Sequence, residues 1–349
     1  SSFGIPGFGA GGGIANVSGP LEVSGSLLTN NRAQGGAGGT GNLAGAGHGG
    51  GIINFAGDVV TVTDSRLIGN RAQGGRGNSG LSPGSAFGAG IENAADVLTI
   101  NHGTFDHNQA LGGNLGSGPL CGLAVGGGIH NAGGAVADIT GSTFVHNRAD
   151  GGSRGSGAFL PGSGLGGGVN NQGRATIIES TFDHNRAIGG SFNIGSNAGV
   201  GAGGGLFNDT PATLALSGST FDHNRAIGGS RGSGDVRTGP GLGGGVDNQG
   251  RATVTESTFD HNRAIGGSFD IGSNAGAGAG GGLYNGTNAT LALFGCLVTG
   301  NQADGGAGGA GGSHDQGVGG GVFNLGVFDP DASVIKKNHS STSNRDIFS

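Results

Sequence analysis

The 349 residues include no methionine, no tryptophan, one tyrosine, two cysteines, eight prolines and only two lysines, Lys336 and Lys337. Each shortage excludes something. Two cysteines, Cys121 and Cys296, cannot make a dense disulfide framework. Few prolines and no strict Gly-X-Y period exclude collagen, although 90 residues are glycine. No apolar run reaches the roughly 18–20 residues of a bilayer-spanning helix, so no membrane span is expected. A formal net charge of −6 argues against a nucleic-acid partner. Without a methionine, Ser1 is not a translation start. The expectation is a processed, secreted chain at an extracellular or cell-surface location, which the abundance of Asn, Thr, Ser and Gly suits.

What is present is a repeat, and the repeat decides the fold. A Gly-Gly-Gly-[Ile/Val/Leu]-x-Asn element recurs with its asparagines at 16, 54, 93, 131, 171, 208, 248, 285 and 324, spaced by 37 to 40 residues. Each is followed by an apolar-x-x-Asn element, such as Leu67/Asn70, Phe105/Asn108, Phe182/Asn185 and Val298/Asn301. Segments 165–208 and 242–285 are nearly identical at an offset of 77, which points to duplication of a two-repeat block.

The apolar spacing within a unit predicts three short strands. Pairs such as Leu21/Val23, Val60/Val62 and Leu98/Ile100 have the period of two that gives a strand one buried face. Residues such as Glu179-Ser180 then break the alternation before Phe182 turns inward, which implies a corner. Helical periodicity is absent. A single unit cannot bury its own apolar face, but stacked units can. The expected fold is therefore all-β: a single-stranded, right-handed parallel β-helix (β-solenoid) of about nine coils of about 39 residues. An N-terminal segment (1–8), the repeats (9–340) and a C-terminal tail (341–349) divide the chain. Like residues then lie over like at about 4.8 Å per coil, and the asparagines form amide ladders. Glycine triplets supply positive φ or close approach of coils. Connections of 12 or 13 residues, such as 37–48, 76–87, 153–165 and 230–242, are nearly constant in length and are expected to stack as an ordered flank. Alternation of Ser-Arg-Gly-Ser-Gly (153–157, 230–234) with Ser-Phe-[Asn/Asp]-Ile-Gly (191–195, 268–272) suggests pairing between neighbouring connections.

The paired elements, clearest in Gly166-Gly167-Gly168-Val169 and Phe182-Asp183-His184-Asn185, resemble the repeats of polymorphic outer-membrane proteins and related right-handed β-helix repeat proteins. The likeness extends from about residue 9 to residue 345. It implies a secreted passenger or surface module concerned with adhesion or envelope structure.

One set of positions invites a site hypothesis. Stacking places His107, His146, His184, His223 and His261 in a row beside Asp106, Asp183, Asp222 and Asp260. Imidazole and carboxylate together ligate zinc and similar ions. The plainer reading is one duplicated solvated corner, with Asp–His pairs and Asp pairs to Arg148, Arg186, Arg225 and Arg263 balancing charge. A uniform row lacks the unlike, converging ligands of a closed site, so no metal and no cofactor is assigned. Acid would load this face with like charges and loosen it.

No catalytic residue is expected either. Acidic residues fall at repeated positions, Glu179 with Glu256 and Asp183 with Asp260, whereas acid–base chemistry needs carboxylates in differing environments. Cys121 and Cys296 lie about five coils, roughly 24 Å, apart by the sheet spacing, beyond disulfide reach. Asn16, Asn208, Asn285, Asn288 and Asn338 open Asn-x-Ser/Thr sequons. The expected function is a non-catalytic extracellular structural or surface protein, adhesin-like or a filament subunit. Its partners would be further copies stacked head to tail or cell-surface polysaccharide. The alternative is a carbohydrate-active β-helix enzyme or polysaccharide-binding module, which an irregular groove of unlike acidic and aromatic residues would favour.

Overall fold

Three positions in every repeat carry left-handed backbone, and these corners shape the coil. The first is the leading glycine of each triplet, as at Gly126 and Gly166. The second runs Gly25, Asp64, His102, Gly141, Glu179, Gly218, Glu256, Gly295 and Ala332. The third runs Asn30, Gly69, the five histidines named above, Gly300 and Lys337. Positive φ is natural for Gly and tolerated by Asn, Asp and His. The computed structural model describes residues 7–38, 44–55, 59–77, 83–114, 121–153, 162–194, 198–233, 238–268, 275–308 and 316–349. Among them there is no helix.

Between the corners a coil makes five short strands, represented by Gly164–Leu165, Val169–Asn171, Arg174–Ile178, Thr181–Asp183 and Arg186–Ile188. Each strand pairs in parallel with its equivalent in the next coil, Phe144 with Phe182 and Phe182 with Phe221, for example. The result is a parallel β-solenoid with five long sheets, called first to fifth in coil order, of nine, ten, nine, nine and nine strands. Five strands replace the expected three. The two extra are Gly-containing pairs such as Gly164–Leu165 and the Arg-Ala-Ile strand, whose only inward residue is alanine.

Stacking fills a dry interior. Phe105, Phe144, Phe182, Phe221 and Phe259 are fully buried, their ring centroids 4.4 to 5.1 Å apart. Each contributes on the order of 2–3 kcal/mol of transfer free energy. Around them one apolar cluster runs from Val23 to Val322. The amide ladders are present and complete. Asn185 donates through Nδ2 to Asn224 Oδ1 and to the Phe144 carbonyl, both at 2.9 Å. Its own Oδ1 accepts the Asn147 backbone N–H and Nδ2, both at 3.0 Å. Both polar atoms of the buried Asn185 side chain are thereby paired, which makes its burial tolerable.

Close approach explains the second triplet glycine. A Cβ at Gly127 would lie 2.2 Å from the Gly167 carbonyl oxygen and 2.5 Å from the Arg148 nitrogen. The bases of the connecting segments are joined by glycine backbone as well: Gly113 donates to Gly84, Gly122 to Gly113 and Gly152 to Gly122 at 2.8 to 3.0 Å. The central parts of most connections, including 154–157 and 269–272, lie outside the described residues. Phe192–Ile194 does pair in parallel with Arg231–Ser233, one instance of the expected alternation.

The C-terminal tail is not loose. Ile347–Phe348 adds a tenth strand to the second sheet beside Val322–Asn324, and Phe348 stacks on Phe323 at 4.6 Å. Asp346 Oδ1 stands where the next ladder amide would be, accepting Asn338 Nδ2 at 3.0 Å and its backbone N–H at 3.1 Å.

Candidate functional site

The sequence Thr-Phe-Asp-His-Asn-Arg-Ala-Ile is identical at 181–188, 220–227 and 258–265. Its Phe, Asn and Ala point inward, so the outer surface carries parallel rows of Thr, Asp, His, Arg and Ile. The histidines occupy the third corner and stack with centroids 4.7 to 5.3 Å apart. Each Asp lies closest to the His that follows it, and Asp106 Oδ1 also stands 3.9 Å from His146 Nδ1. Asp183 Oδ1 lies 2.5 Å from His184 Nδ1, Asp222 2.7 Å from His223, and Asp260 2.9 Å from His261, while Asp106 contacts His107. Three groups, Asp106/His107/His146, Asp183/His184/His223 and Asp222/His223/His261, bring potential ligand atoms within 4.8 Å. The two rings of each group are stacked, at 27°, 4° and 7° to one another, and each group offers three ligand atoms where a closed tetrahedral site has four. The row as arranged is a series of Asp–His contacts, largely exposed.

The arginines are placed differently from expectation. Arg148, Arg186, Arg225 and Arg263 are in register on the fifth sheet. None pairs with the Asp row, whose carboxylates lie against the histidines. Only the ends of the row meet an acid: Arg148 Nε lies 2.5 Å from Asp150 and Arg263 Nε 2.5 Å from Asp304. Arg186 and Arg225 have no carboxylate within 4 Å among the described residues, and Arg186 Nε is buried without a hydrogen-bond partner. Burial, then the neighbouring Arg148 and Arg225 charges, holds the Arg186 guanidinium below its ordinary pKa against the smaller opposing effect of Asp150.

A second feature was not legible as a site. The middle residue of the second-sheet strand faces away from the core and does not repeat: Ile53, Glu92, His130, Asn170, Phe207, Asp247, Tyr284, Phe323. Non-repetition inside a repeat was the signal available. The outward residues of the first sheet close over these positions, as when His48 Nδ1 meets Glu92 Oε2 at 2.8 Å and Phe87 packs on His130 at 5.3 Å. Glu92 and His130 are 4% exposed, Asn170 and Asp247 not at all. Burial raises the Glu92 carboxyl, but the imidazoles of His130 and His48 outweigh it and leave it below the ordinary range. Asp247 has no such help. Burial pushes it up to about 8 despite a 2.6 Å hydrogen bond from Gln249, and Asp209 adds to the rise. Burial, then Asp247, pushes the Tyr284 phenol up to about 12. Both amide atoms of Asn170, His130 Nδ1 and Asp247 Oδ2 lack hydrogen-bond partners. Beyond Tyr284 the groove opens into a mainly apolar cavity of about 290 Å³, walled by Tyr284, Phe323, Phe348, Leu242 and Val318.

No disulfide joins the cysteines. Cys296 fills a place in a serine row, accepting the register of Ser219 and Ser257: its N–H donates to Ser333 Oγ at 3.0 Å and its Sγ–H to the Val254 carbonyl at 3.4 Å. Burial pushes this thiol above its ordinary pKa, which makes it unreactive. Of the five sequons, four begin at ladder asparagines that are buried; Asn288 is exposed.

Fold and surface rows together define a parallel β-solenoid repeat protein. No family model and no curated protein matches the chain. Among solved structures, the periplasmic alginate epimerase AlgG aligns with 85% of this chain and 77% of its own at 10% identity, with a TM-score of 0.20. A score so low says nothing of this chain's chemistry. Among the described residues no helix is long and apolar enough to cross a membrane.

Proposed function

We propose that the chain is a non-catalytic surface or structural solenoid, secreted or displayed at the cell surface, that presents repeated polar rows to polysaccharide or to further copies of itself. The observation carrying this reading is the division of labour between positions. In the coils containing 181–188, 220–227 and 258–265 the outward Thr, Asp, His, Arg and Ile repeat, while the unlike groups that chemistry would need, Glu92, His130, Asn170 and Asp247, are closed off from solvent. The resemblance of the Gly-Gly-Gly and Phe-x-x-Asn elements to polymorphic outer-membrane repeats supports the same role.

One observation favours a carbohydrate-active enzyme instead. Asp247, pushed up to about 8 by burial, is held protonated near neutrality and is acted on by a second carboxylate, that of Asp209. A single assay separates the two. The purified chain is incubated with a panel of acidic and neutral polysaccharides, and new reducing ends and unsaturated products are followed. The surface reading expects none. Turnover that disappears in Asp247→Asn would establish the enzyme.

A further inference from the structure

We infer that the guanidinium row on the fifth sheet, centred on Arg186 and Arg225, binds a linear acidic polysaccharide through carboxylates on successive sugars. The inference deepens the surface-protein reading and rests on it for its setting.

Like charges directly opposite on neighbouring strands are destabilising. Four arginines in register are therefore a cost, and the fold does not require them: Gln109 and Gln302 occupy the same positions in the flanking coils with the same pairing. The cost is relieved most at the ends, where Asp150 and Asp304 make close ion pairs. At the centre neither guanidinium has a carboxylate within 4 Å among the described residues, and Asp150 acts on Arg186 only from farther off. An anion laid along the row would meet the terminal nitrogens of these groups, the buried Arg186 Nε lying out of its reach. Arginine suits this better than lysine, because its planar fork grips a carboxylate with two parallel hydrogen bonds.

The shape of the row selects the polymer. It is straight, and its step is the coil rise of about 4.8 Å, close to the length of one sugar in an extended chain. A duplex nucleic acid carries its phosphates on a helical path and leaves a straight row after a short contact. Ile188, Ile227 and Ile265 run beside the arginines, half-buried, and give sugar rings an apolar floor. The chain's net charge of −6 repels polyanions in general, so attraction depends on the row itself.

The test is calorimetric titration of the full chain with polygalacturonate, its methyl ester and neutral dextran. It is repeated on Arg186→Gln/Arg225→Gln and on Arg174→Gln/Arg251→Gln, which removes equal charge from the third sheet. The expected result is binding of the free acid alone, weakening as salt rises. The central double variant should lose at least about tenfold in affinity and the third-sheet variant less than about twofold. Unchanged melting of both variants shows that the fold persists, as Gln109 and Gln302 foretell. Equal losses in the two variants, equal binding of the methyl ester, equal competition by duplex DNA, or no binding at all would each overturn the inference. Cleavage of bound polygalacturonate would remove the non-catalytic reading and leave the site; absence of both binding and cleavage removes the site alone.

Discussion

Asp247 carries the clearest titration in the molecule. Its carboxyl has an ordinary pKa of 3.8 and is pushed up to about 8 by burial in the folded chain. The folded state thus keeps a proton that the unfolded state releases from about pH 4 upward. Between those values folding binds protons, so stability falls as pH rises: the contribution of the neutral carboxyl is whole below about pH 4 and gone above about pH 8. Asp209, the other acid acting on it, pushes in the same direction, and Tyr284 titrates too high to interfere. Asp247→Asn should remove that slope. In urea unfolding from pH 5 to 9, the variant's advantage should grow to several kcal/mol near pH 8 and then level off. Parallel stability curves would show that the carboxyl is not desolvated in solution. This residue also marks the limit of what sequence reveals. The ladders were legible because identical residues recur at fixed spacing. Asp247, Glu92 and Asn170 share a position but not an identity, and their burial depends on first-sheet side chains folding over them, which no local pattern encodes.

A strand in this solenoid has two to five residues, too few to hold itself, so its stability lies in what it shares with the coils on either side. The amide ladder is the sharpest case. The Asn185 side chain makes four hydrogen bonds to three residues at full burial. Asn185→Ala strands the Asn147 backbone N–H and weakens the ladder on both sides, although Asn224 Oδ1 keeps the Asn185 N–H and Asn147 Nδ2 keeps the Phe105 carbonyl, and a group left unpaired costs about 1–3 kcal/mol. The variant is expected to lose about 3–5 kcal/mol in denaturant unfolding. Asn185→Asp should be worse, since it buries a charge facing amide donors on one side and a carbonyl on the other. A loss below about 1 kcal/mol would mean that water replaces the amide. Backbone crowding gives a matched pair. Gly127→Ala drives a Cβ to 2.2 Å from the Gly167 oxygen, whereas Gly7→Ala meets nothing within 4 Å. Thermal melting should drop for the first and stay put for the second. These elements also show why three strands were expected where five exist. The second, third and fourth strands carry Val, Ile, Leu and Phe inward and announce themselves. The first offers only two residues, the leading one a glycine or alanine, and the fifth shows only Ala149, Ala187 or Ala226 to the interior.

Across the whole molecule, each coil touches only its neighbours, so an end behaves differently from the middle. At the C-terminal end the ladder that finishes at Asn338 is arrested. Asp346 takes the place of the next amide, sharing Asn338 Nδ2 with the Val298 and Lys336 carbonyls, and has no side-chain amide hydrogen to pass on. Ile347–Phe348 covers the second-sheet edge at Val322–Asn324. Head-to-tail stacking on this end therefore has to displace residues 346–349 before a new strand can pair. Removing them should do that displacement in advance. The shortened chain exposes the Asn338 donors and the face of Phe323, and its second-sheet edge becomes a template for the exposed N-terminal strands of another copy, where Val17 and Leu27 stand in solvent. Sedimentation velocity should then show end-to-end association at concentrations where the full chain remains one species. Hydrogen exchange in single molecules should speed up within 316–340 and stay slow in the central coils. Equal sedimentation of the two chains would mean that the edges of the third, fourth and fifth sheets, at Val327–Asp329, Val334–Lys336 and His339–Ser340, keep copies apart without help from the cap. Loss of protection spreading into the central coils would mean that the solenoid unfolds as one unit and not coil by coil.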